Sequence, residues 1–332
     1  MAPTSFRAMV VEETPDRGFV RSIQEKKIHD LPKGDVLIKV HYSSLNYKDA
    51  LSATGNKGVT RRYPHTPGID AAGTVEESQN PDFKQGDEVL VTGYDLGMNT
   101  PGGFGQYVRV PSEWIVPLPP NLSLKTCMIY GTAGFTAGLS IDKLMEAGVT
   151  PEDGDILVTG ASGGVGSMAV ALLAHCGYSV AAVSGKPQAV EMLSALGARQ
   201  VLGRDAVTDT TGKPLLIQRW AACVDTVGGN VLSYALRSTH RHGVVTCCGN
   251  VASADLNLTV YPFILRGVTL SGIDSATTEM PLRRKIWNNF AGPWRLPNLD
   301  QFSSTIELAD LDAHIEKILA SGQMGRRVVR LT

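Results

Sequence analysis

The sequence predicts an α/β protein: a compact all-β region, then a doubly wound parallel sheet. Three observations carry this. Ile156-Leu157-Val158-Thr159 is a short apolar run that leads into a glycine cluster and then into the Ala/Leu-rich stretch 167–174, so strand, tight turn and helix follow one another. From there to about residue 273, β-branched runs alternate with helix-forming segments, the pattern of a parallel sheet with crossover helices. Before residue 123 the runs are short and are separated by Pro, Gly and Asn signals, with almost no helical periodicity.

Taken in order, residues 7–11, 19–24, 36–44, 71–76, 87–92, 105–111 and 114–117 read as strands, punctuated by turns such as 31–34 and 83–87. One short helical turn, 46–51, interrupts them, and Pro64 and Pro67 stiffen the loop into 71–75. Residues 124–144 are rich in small residues and read as helix. Beyond the glycine cluster, 178–183, 200–202, 222–225, 243–248 and 268–273 read as further strands, with a helix at 190–196. A helix at 311–321 and a strand at 327–331 complete the reading.

The glycine cluster points to chemistry. A helix N-terminus offers unpaired N–H groups and partial positive charge, so a pyrophosphate is stabilised there, and glycines let it approach. Gly160, Gly163 and Gly166 fall three apart, a variant of the dinucleotide fingerprint. The same letters, Gly160-Ala-Ser162-Gly-Gly164, also fit the nucleophile elbow of a hydrolase. The second strand favours the nucleotide. Where an NAD site places an acid for the ribose hydroxyls, this chain has Ser184-Gly185-Lys186, a donor and a cation suited to a 2′-phosphate. NADP is therefore expected over NAD.

With 332 residues the chain can hold two domains, and its formal net charge of −1 gives no reason to expect a nucleic-acid or membrane-surface partner. The stretch 156–185 carries no charged side chain and is long enough to span a bilayer, but its glycines and strand signals favour a buried strand-helix-strand unit. Met1 leads directly into a strand-like run, so no secretory leader is expected. Five cysteines without a C-x-x-C pair suggest reduced thiols and a cytoplasmic protein. His240-Arg-His242 has no partner ligands nearby and reads as a solvated loop pair.

Together, Ser44-Leu-Asn-Tyr-Lys-Asp-Ala50, Pro67-Gly-Ile-Asp70, Gly131-Thr-Ala-Gly-Phe-Thr-Ala137, Gly160-Ala-Ser-Gly-Gly-Val-Gly166 and Pro262-Phe-Ile-Leu-Arg266 resemble the medium-chain dehydrogenase/reductase superfamily. The likeness is to its zinc-free quinone oxidoreductase subgroup, which includes NADPH-dependent acryloyl-CoA reductases, and it covers nearly the whole chain. It implies a GroES-like β-barrel domain of residues 1–125 and 275–332, and a Rossmann NADP-binding domain of residues 126–274. The zinc alcohol dehydrogenases of the superfamily need an early cysteine and a Gly-His-Glu motif. Here no cysteine precedes Cys127 and Gly68-Ile69-Asp70 stands in place of the motif, so no metal is expected.

The implied reaction is reduction of an activated C=C bond, with an enoyl-CoA or a quinone as substrate. The resemblance assigns Tyr47, Asn46 and Asp70 to catalysis, with Tyr47 beside the nicotinamide as proton donor or orienting group. It assigns Thr132, Ser162, Gly163, Gly164, Val165, Ser184, Gly185, Lys186, Arg204, Asn250, Ile264, Ser275 and Arg326 to the cofactor. A homodimer paired through the run 268–273 is expected, as in relatives. Lys57, Arg61 and Arg62 with Arg283, Arg284 and Lys285 are candidate cations for the phosphates of coenzyme A. Two other classes stay open at this point: a hydrolase using Ser162, and a non-catalytic NADPH-binding protein.

Overall fold

The computed structural model describes residues 4–332, so the start of the leader reading, Met1 to Pro3, lies outside the described residues. The chain divides into two compact units. One runs through Thr132 and resumes at Ala276; the other is Ala133–Ser275.

The first unit opens with β1 (Ser5–Thr14) and β2 (Gly18–Lys27), an antiparallel hairpin. Then come β3 (Val36–Ser44), α1 (Tyr47–Ala53), β4 (Asp70–Ser78), β5 (Glu88–Thr92), β6 (Tyr107–Val110) and β7 (Val116–Pro117). The strand period of two decides which core each side chain joins. On β3, Val36, Ile38 and Val40 enter the main core with Val89, Val91 and Val108, while Leu37 turns to a smaller cluster with Phe6, Ala8 and Tyr107. The helix α2 (Leu124–Glu146) carries the chain out of this unit and is broken inside by Gly131, at φ 50° and ψ −158°.

The second unit contains β8 (Ile156–Val158), α3 (Gly164–His175), β9 (Val180–Val183), α4 (Val190–Ala195), β10 (Gln200–Leu202), β11 (Trp220–Asp225), α5 (Gly229–Ser238), β12 (Thr239–Cys247), α6 (Tyr261–Arg266) and β13 (Thr269–Gly272). Its strands form one sheet in the order β10-β9-β8-β11-β12-β13, and every neighbouring pair is parallel. The order reverses between β8 and β11, which is where a doubly wound sheet opens a crevice at its carboxyl ends. The uncharged stretch 156–185 is the β8-α3-β9 unit, and among the described residues no helix is long and apolar enough to cross a membrane.

The chain then returns to the first unit as α7 (Met280–Ala291), β14 (Ser303–Glu307), α8 (Leu311–Leu319) and β15 (Arg326–Arg330). Strand β15 pairs antiparallel with β3, giving the sheet order β14-β15-β3-β4-β5-β7, with β6 also paired to β3. The helices α5 and α6 and the strand β14 lay outside the sequence reading, whereas the helix expected to carry Arg283, Arg284 and Lys285 after Ser275 is α7. The strand expected from Tyr178 starts at Val180 instead, because Gly177 takes φ +85° and the Tyr178 hydroxyl donates back to the Val149 carbonyl at 2.8 Å. None of the five cysteines is disulfide-bonded, and Cys127 and Cys223 are buried.

Candidate active site

In the first unit the end of β3, the start of α1 and the start of β4 converge on one buried carboxylate. Asp70 is 0% exposed and accepts four hydrogen bonds. Its Oδ2 takes the Ser44 hydroxyl at 2.5 Å, Asn46 Nδ2 at 2.8 Å and the Thr132 backbone N–H at 2.9 Å, and its Oδ1 takes the Thr132 hydroxyl at 2.6 Å. Gly131 is required beside it: a Cβ there would stand 2.6 Å from both Asp70 Oδ2 and Ser44 Oγ.

Arg326 closes the network. Its guanidinium donates to the Ser44 hydroxyl at 2.9 Å, to Asn46 Oδ1 at 3.3 Å and to the carbonyls of Leu45 and Ile129 at 3.4 and 2.9 Å. This revises the sequence reading of Arg326 as a cofactor contact: the side chain is 1% exposed and makes four hydrogen bonds inside the unit. Burial lowers its pKa while Asp70 and Asp49 act the other way.

Asn46 is the N-cap of α1. Its N–H donates to Asp49 Oδ2 at 2.7 Å, and Asp49 Oδ1 accepts the Ile69 N–H at 2.8 Å. Burial first, then the Asp70 charge, pushes the Asp49 carboxyl up to about 7. The consequence is a fixed first turn, from which Tyr47 projects 39% exposed, with no hydrogen-bond partner among the described residues.

The second unit builds the nucleotide cradle. Gly160 sits at φ +58°, and a Cβ on it would meet Thr226 Oγ1 at 2.3 Å; a Cβ on Gly166 would meet the Gly160 carbonyl at 2.4 Å. Gly163 caps α3, and the first-turn N–H groups of Gly164, Val165 and Gly166 are the ones a helix leaves free. Ser162 accepts a hydrogen bond from Ser184 at 3.0 Å, so its partner is a serine, not the histidine a nucleophile elbow needs. Ser184 also accepts the Lys186 N–H at 3.1 Å. The Arg204 side chain lies over Gly185, where a Cβ would be 2.3 Å from its Nε. Ser184 and Arg204 thus flank Gly185 past β9 and β10, with Lys186 next in the chain, residue types that fit a 2′-phosphate.

A clasp the sequence reading missed holds this turn. Thr159 donates to Asp225 Oδ1 at 2.7 Å, and Asp225 Oδ2 accepts the N–H groups of Gly228 and Val227 at 2.8 and 3.2 Å. Thr226 returns two bonds to Thr159, both 3.0 Å. Burial raises the Asp225 pKa against these bonds. The remaining assigned residues are placed within the same unit: Asn250 is exposed after β12, Ile264 is 68% exposed on α6, and Ser275 follows β13.

The cation clusters proposed for coenzyme A divide. Arg61, Arg62, Arg284 and Lys285 are exposed. Lys57 is ion-paired with Glu13 at 2.6 Å and lies over the rings of Phe19 and Tyr63. Arg283 is fully buried, which removes it from any solvent-facing rim. Helical spacing could have found it: Arg283, Ile286, Trp287 and Phe290 are the buried face of α7. Among the described residues no group of three His, Cys, Asp or Glu side chains could hold a metal ion.

Residues 32–120 match the alcohol dehydrogenase GroES-like domain, and residues 164–287 match the zinc-binding dehydrogenase family. The chain is 42% identical over 325 residues to the acrylyl-CoA reductase AcuI of Ruegeria pomeroyi, covering 98% of each. It is 43% identical over 329 residues to YhfP of Bacillus subtilis, a protein carrying a quinone oxidoreductase name, covering 99% of each. The crystal structure of YhfP with NAD bound superposes with TM-score 0.96, covering 99% of this chain and all of the other. The yhdH oxidoreductase of Salmonella enterica, crystallised with NADP, is 44% identical with TM-score 0.95, covering 98% of this chain and all of the other.

Proposed function

We propose, because this chain belongs to the medium-chain dehydrogenase/reductase superfamily, in the group shared by acrylyl-CoA reductases and zinc-free quinone oxidoreductases, that it reduces the activated C=C bond of a short 2-enoyl-CoA, acrylyl-CoA first among them. The observation that carries this is 42% identity with AcuI over 98% of each chain, joined to a cradle whose donors suit NADPH. The protein is an NADPH-dependent oxidoreductase with a GroES-like domain and a Rossmann domain. In this reading Ala133–Ser275 is the cofactor domain and the other unit is the catalytic one.

Bound NADPH supplies a hydride to the β-carbon of the acceptor. The chain's own residues do the rest. The free N–H groups at the start of α3 hold the pyrophosphate, and Ser184, Lys186 and Arg204 hold the 2′-phosphate. Asn46 and Asp70 fix the turn that presents Tyr47. Its free hydroxyl orients the nicotinamide or donates toward the carbonyl oxygen, where negative charge builds as the enolate forms. Thr132, Asn250, Ile264 and Ser275 complete the cofactor contacts. Two copies pair through the β13 edge, beside which Tyr261, Ile264 and Leu265 leave apolar surface exposed. Free thiols accord with a cytoplasmic setting.

The YhfP likeness favours a second reading, a quinone as acceptor. NADPH oxidation with acrylyl-CoA, crotonyl-CoA and a small quinone separates the two. Acrylyl-CoA should turn over fastest. Its KM should rise with salt, and Arg61→Ala with Arg62→Ala should reproduce that rise. Fast quinone turnover without enoyl-CoA activity would leave only the reductase class.

A further inference from the structure

The chain passes between its two units twice, at Thr132–Ala133 and at Ser275–Ala276. Within the first unit, each passage is held by a fully buried charged side chain. Asp70 takes both the N–H and the hydroxyl of Thr132. Arg283, 0% exposed, donates from Nη2 to the Ala276 carbonyl at 3.2 Å and the Thr278 carbonyl at 3.5 Å. From Nη1 it donates to the Thr92 carbonyl at 2.7 Å and the Thr92 hydroxyl at 2.9 Å. The Tyr94 N–H reaches the same Ala276 carbonyl at 2.8 Å, and the guanidinium carbon lies 4.4 Å from the centre of the Tyr94 ring. Asp70 and Thr92 are register partners across β4 and β5. The two grips therefore start from facing residues of one strand ladder.

We infer that Arg283 is a positioning residue for hydride transfer: with Asp70 it forms a paired grip within the first unit, holding Thr132 where the chain leaves that unit and Ala276 where it returns. The inference rests on the cofactor reading above. A guanidinium suits this task because its planar fork bonds carbonyls of two separate segments at once, which an ammonium does less well. Burying that charge is costly unless its donors are satisfied, and Nη1 and Nη2 make four bonds between them. The rest of the buried face of α7 is Ile286, Trp287, Phe290 and Ala291, so packing alone does not call for an arginine at 283. The carbonyls it binds belong to the second passage and to the strand position facing Asp70. Hydride transfer is sensitive to such placement, since a misplacement of about 1 Å can cost roughly 100-fold in rate.

The test compares wild type with Arg283→Lys and with Thr92→Val, which removes only one hydroxyl acceptor. Four quantities are read: kcat, the primary isotope effect with deuterated NADPH, the NADPH dissociation constant by fluorescence, and hydrogen exchange at the Tyr94 amide. Arg283→Lys should speed Tyr94 exchange, lower kcat by about tenfold or more and raise the isotope effect, while NADPH affinity changes by about threefold or less. Thr92→Val should move kcat and exchange the same way by a smaller factor, and it serves alone if Arg283→Lys does not fold. Wild-type kcat and isotope effect despite faster exchange would overturn the inference. So would unchanged exchange in Arg283→Lys, a result that needs no substrate and stays readable even if the wild type reduces neither enoyl-CoA nor quinone.

Discussion

Asp49 and Lys186 stand for two ways a single residue acts, one inside the fold and one, in the proposed reading, toward the cofactor. The Asp49 carboxyl, ordinarily near 3.8, is pushed up to about 7 by burial, so the native state binds its proton more tightly than the unfolded chain does. That contribution to stability is complete below pH 3.8 and is lost as pH rises toward about 7. Asp49→Asn should flatten the stability–pH curve over this window in urea unfolding, at a cost of about 1–3 kcal/mol because one of the two buried N–H groups loses its acceptor. A wild-type slope retained in the variant would refute the assignment. In the proposed reading Lys186 has the other role. Removing a charge-assisted phosphate contact should cost about 1.5–3 kcal/mol, so Lys186→Ala should weaken NADPH roughly 10- to 100-fold and NADH far less. Side-by-side titrations decide it; an equal loss for both cofactors would argue against the 2′-phosphate site. Dialysis against a strong chelator should leave activity intact, whereas loss restored by zinc would reverse the reading drawn from the missing early cysteine.

Two short elements decide how the site is held, and they differ in how legible they were. The β8-α3 turn was readable because its glycines carry their meaning in one stretch of sequence: apolar run, turn, helix former. The break in α2 was not. Gly131 stood inside a quoted motif, yet the helical pattern runs smoothly through it, and only Asp70 and Ser44 arriving from distant strands make a side chain impossible there. Gly131→Ala should therefore lose about 1–3 kcal/mol from backbone strain alone, with further loss from crowding the carboxylate. An unfolding midpoint equal to wild type would show that α2 straightens without penalty. Arg326 belongs with these. A charged residue in a closing strand reads as surface or ligand contact, and nothing local announces that it lies buried beneath Asn46. The clasp from Thr159 to Asp225 was hidden for the same reason, being a pairing between two strand ends 66 residues apart.

At the scale of the molecule, the edge of the second sheet carries the clearest expectation. Light scattering at micromolar concentration should give a dimer mass, and Leu265→Asp, at a residue 49% exposed, should shift it toward the monomer. A monomeric wild type would remove the β13 pairing. The order of the strands carries another consequence, this one for biosynthesis. Ala133–Ser275 is one continuous segment and can fold as it is made. The first unit cannot: β15 inserts against β3, and Arg326 reaches Ser44 across 282 residues of chain. Until that late strand emerges, the Tyr42–Ser44 end of β3 lacks its partner strand and Asp70 lacks the cation of its network. The nascent chain must therefore hold a competent nucleotide cradle beside an unfinished barrel, a period in which chaperone protection matters for one half of the protein and not the other.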